Sequence, residues 1–279
     1  MRWQVGRGSG NIEDRRGLGG AVGGLGVGGI VLALIGYFVF GIDPSTIMSS
    51  GVVSGAQEGK MGQPTDEEGR FVSQILGSTE EVWAAQFQQA GRNYTPPTTV
   101  LYEQGTVTGC GVGQAAMGPF YCPADQKIYI DLSFFRQLET QFGAPGEFAR
   151  AYVIAHEVGH HVQALLGQSA EVRRAQQAAR SEAEANSYSV RLELQADCYA
   201  GVWARQSDTA RRWLESGDVE AGLRAAAAVG DDTLQKRSQG RVAPDSFTHG
   251  SSDQRVRWFT IGLQSGDPAS CDTFNAARL

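Results

Sequence analysis

The sequence has no excess of positive charge: its 24 Lys and Arg are outnumbered by 30 Asp and Glu, which gives a formal net charge of −6. Domains that bind nucleic acids normally carry a basic face, so this balance excludes a nucleic-acid partner. Cysteine is also scarce, and the four cysteines include no Cys-x-x-Cys pair, which excludes a disulfide scaffold and a zinc knuckle. With 41% hydrophobic residues, the chain can still bury a core.

Charged residues are absent from residues 21–42. A helix needs about 20 apolar residues to cross a bilayer, and this run ends without the small-residue cleavage site of a signal peptide. We therefore predict one uncleaved transmembrane anchor over residues 21–42, with cleavage as the alternative.

The flanking charges predict the orientation of this anchor. Four bases precede it against two acids: Arg2, Arg7, Arg15 and Arg16 against Glu13 and Asp14. Because Lys and Arg are enriched on the cytoplasmic side of membrane segments, we expect residues 1–20 to be a cytoplasmic tail below the inner membrane. The rest of the chain would then face the periplasm or the outside of the cell, where disulfides are permitted.

Glycines of the anchor fit two patterns. Gly24-x-Gly26-x-x-Gly29 matches a dinucleotide-binding fingerprint, but that motif needs a strand before it and a helix after it, so we discard it inside a membrane segment. Gly20, Gly24 and Gly28 are spaced for close contact between two membrane helices. A homodimer through the anchor is one interpretation of this spacing, and glycine that is merely tolerated in a membrane helix is the other.

The composition changes again after the anchor. Residues 43–69 are rich in Ser, Gly, Gln and Pro, which predicts a flexible linker. Apolar spacing predicts helices over 66–90, 134–142, 146–166, 170–206 with a break, shorter pieces to 230, and 253–264. Alternating β-branched and aromatic residues predict strands over 98–102 and 127–131. We expect an α+β domain over residues 70–279, predominantly helical with a small antiparallel or mixed sheet.

One predicted helix carries the sequence His156-Glu157-Val158-Gly159-His160. Residues four apart lie on one helix face, so both imidazoles can bind a single ion, for which zinc is the natural metal. Glu157 is offset by about 100° and lies beside the ion, where it can hold water. Since the residues around the motif are apolar, the helix should be buried and its polar side chains need a partner.

A catalytic zinc needs a third protein ligand. The metzincin continuation is excluded because Gln163 and Leu166 stand at its Gly and His positions. Downstream, a predominantly apolar helix carries Glu193 and Asp197 on one face, so we predict Glu193 as the ligand and Asp197 as the acceptor that orients a ligand imidazole. The alternatives for the third ligand are Asp197, Glu182, Glu184 and His249.

Together these segments resemble the putative neutral zinc metallopeptidases of bacterial membranes, which are similar to gluzincin-type zincins. The segments that carry the resemblance are Asn-Ile-Glu-Asp-Arg-Arg-Gly at 11–17, Gly-Pro-Phe-Tyr-Cys-Pro-Ala-Asp-Gln-Lys at 118–127, Tyr-Ile-Asp-Leu-Ser-Phe-Phe at 129–135, the His156 helix, Glu-Leu-Gln-Ala-Asp-Cys-Tyr-Ala-Gly at 193–201 and Thr-His-Gly-Ser-Ser-Asp-Gln-Arg-Val-Arg-Trp-Phe at 248–259. The resemblance implies a zincin-like fold with zinc bound by His156, His160 and Glu193. It also implies Glu157 as the catalytic base and Asp197 as the carboxylate behind a ligand.

Three further expectations concern the surroundings of this site. In related zincins a histidine from the C-terminal half stabilises the oxyanion, a role open to His249, whose alternative is local packing. We expect the His161 side chain either to lie behind a metal ligand or to be exposed to solvent. The substrate strand of zincins commonly lies along a sheet edge, for which residues 127–131 are our candidate.

The cysteines are expected to pair outside the cytoplasm. Cys110 and Cys122 flank one loop and form one predicted bridge, and Cys198 and Cys271 form the other.

We interpret the chain as a membrane-anchored zinc metalloendopeptidase that acts on a peptide or protein substrate. Glu157 would take a proton from water and deliver it to the departing amine. The alternative is a catalytically weak or inactive zincin-fold scaffold protein, tethered to the membrane, with a structural zinc. A serine hydrolase is disfavoured, because the outer domain lacks a Gly-x-Ser-x-Gly elbow.

Overall fold

The computed structural model describes residues 1–17, 58–103, 105–114 and 118–279. The anchor predicted over residues 21–42, its glycines and most of the predicted linker lie outside these ranges, so they stay predictions. Among the described residues, no helix combines the length and apolar character needed to cross a bilayer.

A mixed five-stranded sheet forms one side of the molecule. Its strands are β1 (Ile12–Asp14), β2 (Lys60–Met61), β3 (Thr98–Tyr102), β6 (Phe120–Cys122) and β7 (Lys127–Asp131). They lie in the order β2-β1-β3-β7-β6, with β1, β3 and β7 parallel and the two outer strands antiparallel to their neighbours. Strands β4 (Gly105–Thr108) and β5 (Gly111–Gln114) form a separate antiparallel hairpin. The predicted strands at 98–102 and 127–131 are confirmed.

The position of β7 corrects the expected edge strand. Residues 127–131 are hydrogen-bonded to β3 on one side and to β6 on the other, so β7 offers no free edge. Strand β6 is the edge on this side of the sheet. It is only three residues long, too short for alternation to reveal it in the sequence.

Eight α-helices pack beside the sheet within the described ranges. They are α1 (Glu67–Gln89), α2 (Ser133–Thr140), α3 (Glu147–Leu166), α4 (Gln168–Ala178), α5 (Glu182–Arg211), α6 (Asp218–Ala228), α7 (Asp231–Gln239) and α8 (Ser252–Ser265), with short 3-10 turns at Pro244–Ser246 and Pro268–Cys271. The predicted α+β class with a predominance of helix is confirmed. So is the predicted break before α5, where Ser181 caps the helix by accepting from the Glu184 N–H.

The first residues of the chain belong to this domain. Strand β1 lies between β2 and β3, and the Ile12 side chain is fully buried in the core. Trp3 is also buried, against Phe71 of α1. The described part of the region that we expected to be a separate tail over residues 1–20 is therefore integral to the sheet, and the domain begins before the predicted boundary at residue 70.

Both predicted disulfides are present. Cys110 is bonded to Cys122 and holds the β4–β5 hairpin against the edge strand β6. Cys198 of α5 is bonded to Cys271 and ties the C-terminal turn to the longest helix.

Helices α5 and α8 cross at a pair of glycines. A Cβ at Gly201 would overlap the carbonyl oxygen of Phe259, and a Cβ at Gly262 would overlap that of Cys198. The two backbones therefore touch, which brings the α5 side chain of Asp197 within reach of the α8 side chain of Arg255.

Replacing Gly262 by Ala should separate these helices. In an open helix, Ala stabilises relative to Gly by about 0.5–1 kcal/mol, but here the overlap should destabilise the fold by about 1–3 kcal/mol. Urea unfolding measures the free energy of unfolding of the wild type and the variant. Gln264→Ala, at an exposed position of the same helix, is the control. A Gly262→Ala protein as stable as the wild type would contradict the close crossing.

Candidate metal centre

Helix α3 presents both histidines of the motif on one face. The rings of His156 and His160 have centroids 4.7 Å apart. Between them, Gly159 faces α5, where a Cβ would lie 3.1 Å from the Ala196 Cα and carbonyl oxygen. Because glycine leaves this space free, α5 approaches closely and places Glu193 beside the histidines.

The three predicted ligands converge. His156 Nε2 lies 3.1 Å from His160 Nε2 and 3.2 Å from a Glu193 carboxylate oxygen, and His160 Nε2 lies 3.3 Å from the other Glu193 oxygen. Donors bound at about 2.0–2.1 Å to one tetrahedral ion are separated by about 3.3–3.4 Å. The observed spacings are close to this value, so the donor set fits a zinc ion in both chemistry and size.

Each histidine is oriented through its other ring nitrogen. His156 Nδ1 donates to Asp197 Oδ1 at 2.8 Å. His160 Nδ1 donates to Gln163 Oε1 at 2.9 Å, and the Gln163 amide is itself fixed by donating to the Leu192 carbonyl at 2.7 Å. With both Nδ1 atoms protonated, each Nε2 directs its lone pair to the shared centre.

Arg255 completes this arrangement, and the sequence analysis did not identify it. Its guanidinium donates to both Asp197 oxygens, at 2.8 and 2.9 Å, and to the Tyr152 hydroxyl at 3.1 Å. Tyr152 in turn donates to Asp197. Asp197 is fully buried and Arg255 is 4% exposed, so each charge depends on the other. The sequence does contain a signal: Arg255 shares the helical spacing of the buried residues Trp258, Phe259 and Gly262.

The carboxylates of the site favour positive charge at its centre. Burial opposes charging of His156, but Asp197 and Glu193 outweigh it and raise its pKa to about 10. The pKa of His160 is raised for a similar reason, since Glu193 outweighs its burial. The pKa of Glu193 falls well below its usual value despite burial, because both histidines stabilise the carboxylate. The same carboxylates would stabilise a divalent cation that replaces the protons on the imidazoles.

Glu157 is buried beside this centre and belongs to no part of the donor triangle. Burial raises the pKa of its carboxyl group, although the two histidines and the Tyr121 backbone N–H partly oppose the rise. A carboxylate whose pKa is raised toward neutrality is a better proton acceptor.

The site opens into a cleft of about 600 Å³. Its walls include the edge strand residues Phe120 and Tyr121, and His249. Aromatic and apolar side chains dominate the remaining wall, among them Phe134, Phe142, Val153 and Leu234.

His249 lies at the cleft on a loop that Asp231 anchors. The Asp231 carboxylate accepts from the backbone N–H groups of residues 248, 249 and 250, at 2.7, 2.6 and 3.1 Å. It also lies 3.2 Å from His249 Nδ1, and this hydrogen bond raises the pKa of the half-exposed imidazole. His249 therefore faces the cleft outside the donor triangle.

The remaining predicted residues lie elsewhere. Glu182 and Glu184, alternatives for the third ligand, lie in the first turn of α5, where Glu184 accepts from the Arg180 N–H. His161 is buried rather than exposed and donates to the Thr95 carbonyl at 2.7 Å, which leaves its Nδ1 to accept from the Tyr121 hydroxyl at 3.3 Å. It thus supports a wall of the cleft.

Comparison with known proteins bears on this site. The model of one family, described as putative neutral zinc metallopeptidase, matches residues 1–274. The uncharacterized protein YpfJ of Escherichia coli is 51% identical over 98% of this chain and 99% of its own length. The uncharacterized protein Rv2575 of Mycobacterium tuberculosis is 47% identical over 75% of this chain and 73% of its own length. No solved structure matches the chain.

Replacing Asp197 by Asn tests the support behind His156. The amide keeps an acceptor oxygen but removes the charge that Arg255 and the ion both need, so the zinc affinity should fall about 10–100-fold. Competition with a chromophoric chelator measures this, and thermal unfolding checks that the protein remains folded. Asp253→Asn, exposed in the first turn of α8, is the matched control. Equal zinc affinity in Asp197→Asn and wild type would refute the assignment.

Proposed function

The chain belongs to the putative neutral zinc metallopeptidase family, and from this premise we propose that it is a zinc-dependent endopeptidase that hydrolyses peptide bonds in the cleft beside α3. The observation that carries the proposal is the convergence of three donors, from His156, His160 and Glu193, with a fourth polar side chain, Glu157, held beside them. Structural zinc sites are usually closed by four protein ligands, whereas catalytic sites use three.

The ion and the base have separate tasks. His156, His160 and Glu193 would hold the zinc ion, which would supply Lewis-acid chemistry toward the scissile carbonyl and toward water. Glu157 accepts the proton from the attacking water, which its raised pKa favours, and returns it to the nitrogen of the departing amine. Asp197 and Gln163 keep both imidazoles in the tautomer that binds the ion.

His249 is suited to stabilise the negative charge that develops on the carbonyl oxygen. Asp231 and the Thr248 hydroxyl both lie within hydrogen-bond distance of its Nδ1, and Asp231 fixes the loop by three backbone hydrogen bonds, so Nε2 is the ring nitrogen left for the substrate. Because the loop is anchored, little reorganisation is needed when this charge forms.

Strand β6 is suited to align the substrate. It ends the sheet on the side of the cleft, and two of its residues, Phe120 and Tyr121, line the cleft. An extended peptide that pairs with a free strand edge gains main-chain hydrogen bonds that do not depend on its sequence. The disulfide at Cys122 and the contact of His161 with Tyr121 hold this edge in place.

Replacing Glu157 by Gln should abolish cleavage while zinc stays bound. Loss of the base should lower the rate by at least about 10²-fold, and the donor triangle is untouched. Metal analysis of the purified protein, together with the fragment masses from a random peptide pool, measures both properties, with Glu171→Gln at an exposed position of α4 as the control.

Two outcomes would contradict this scheme. Undiminished cleavage by Glu157→Gln would remove Glu157 as the base. A zinc-loaded wild type that cleaves no peptide in the pool would favour the alternative, a zincin-fold scaffold protein.

Replacing His249 by Ala should lower kcat about 10²–10³-fold, as for the loss of other oxyanion donors, with little change in KM. Asp231→Asn should have a smaller effect on kcat and should shift the alkaline limb of the pH profile to lower pH. The sign follows because Asp231 raises the pKa of His249, so its loss lets the imidazole deprotonate at lower pH. An unchanged kcat in His249→Ala would assign this residue to local packing only.

A further inference from the structure

We propose that residues 1–17 lie on the same side of the membrane as the metal centre, as an integral part of its domain. The proposal is independent of the peptidase activity. It takes the membrane segment predicted over residues 21–42 as its premise and is argued from the contacts of the described residues on either side of it. It replaces the cytoplasmic tail that the charge pattern favours.

The backbone of residues 11–15 is hydrogen-bonded to a strand on each side. Toward β3, the Thr99 N–H donates to the Asn11 carbonyl at 2.9 Å and the Arg15 N–H donates to the Leu101 carbonyl at 2.8 Å. On the side of β2, the N–H of Gly62, which directly follows that strand, donates to the Ile12 carbonyl at 2.9 Å. Without β1 the remaining strands β2 and β3 would not be neighbours, and the core would lose the Ile12 side chain.

Helix α1 has small residues where the N-terminal segment crosses it. A Cβ at Gly77 would overlap the Arg7 carbonyl oxygen. Four residues earlier, Ser73 accepts from the Ser9 N–H at 2.8 Å through its carbonyl and donates to the Ser9 carbonyl at 2.9 Å through its hydroxyl. Glycine and serine at this spacing form a groove on α1 that the segment fills.

The arginines that predicted a cytoplasmic tail all have partners in this domain. Arg15 donates to Glu13, Thr106 and the Val107 carbonyl, and Arg16 forms ion pairs with Asp14 and Asp66. The two more exposed arginines also have partners in the domain. Arg7 lies 3.7 Å from Glu80, and Arg2 donates to the Arg212 carbonyl. The acid Glu13 is also bound from outside the segment, since it pairs with Lys127 at 2.8 Å.

The pairing of β1 with β2 limits how the chain between them can cross a membrane. Asp14 lies opposite Lys60, and the Gly59 N–H donates to the Glu13 carboxylate at 3.1 Å. The described residues before and after 18–57 therefore lie in adjacent strands, about 4.8 Å apart. One membrane crossing between them would separate these strands by a hydrocarbon core of about 30 Å, which the hydrogen bonds do not allow.

Thiol accessibility in the full-length protein tests the shared side. The four native cysteines are paired, so Val5→Cys and Val242→Cys, at 54% and 44% exposed positions, each add one free thiol. Spheroplasts of cells that express each variant are treated with a membrane-impermeant maleimide before and after lysis. We expect both thiols to be labelled to the same extent before lysis, because the two disulfides call for an oxidising compartment.

The labelling has two other outcomes. If both thiols react only after lysis, the shared side is supported and the whole domain is placed in the cytoplasm. If Val242→Cys reacts before lysis and Val5→Cys only after it, the proposal is overturned.

A cysteine pair gives a second, direct measurement. Asp14→Cys combined with Lys60→Cys puts two thiols at opposed positions of β1 and β2, where Cβ atoms are close enough for a disulfide. Non-reducing peptide mapping of the full-length protein should find the linked peptides and the loss of both free thiols, whereas Asp14→Cys alone keeps its thiol. Two thiols that remain free and react on opposite sides of the membrane would overturn the proposal.

Discussion

The metal centre depends on one fully buried carboxylate, that of Asp197. Burial alone would raise its pKa, but Arg255 and His156 outweigh burial and lower it to about 2, so it remains ionised. Three helices meet at this side chain, because His156 comes from α3, Asp197 from α5 and Arg255 from α8. An unpaired charge in such a place would cost several kcal/mol. The requirement that Asp197 be paired therefore fixes the helices relative to one another, and the position of the three candidate metal ligands follows.

The part of the site that could be predicted is the part set by local spacing. His156 and His160 share a face because they lie four apart on a helix, and Glu193 and Asp197 follow the same rule on α5. The contacts that join the helices could not be read in this way. Gln163 entered the sequence argument only as a departure from another family, yet it orients His160 from within the same helix. Arg255 reaches Asp197 only because the glycines of α5 and α8 let the backbones touch.

In the sheet, too, some strands could be predicted from the sequence and others could not. The strands of residues 98–102 and 127–131 are long enough for alternation to be visible, and both were predicted with correct bounds. Strands β1, β2 and β6 have two or three residues each, so their place in the sheet is set by tertiary contacts. The wrong choice of edge strand followed directly, since β7 is an edge only if β6 is not recognised. The correction moves the proposed surface for an extended substrate to Phe120 and Tyr121, both of which line the cleft.

The arginines near the N-terminus show how one set of charges supports two opposite conclusions. The positive-inside rule counts Lys and Arg near a membrane segment as if they were free in solution. In this chain the guanidinium groups of Arg15 and Arg16 are held by Glu13, Asp14 and Asp66, so the local excess of positive charge is largely neutralised within the fold. The charge rule is a statistical tendency, whereas the hydrogen bonds of β1 with both neighbouring strands are specific to this chain and require residues 12–14 to lie beside β2 and β3.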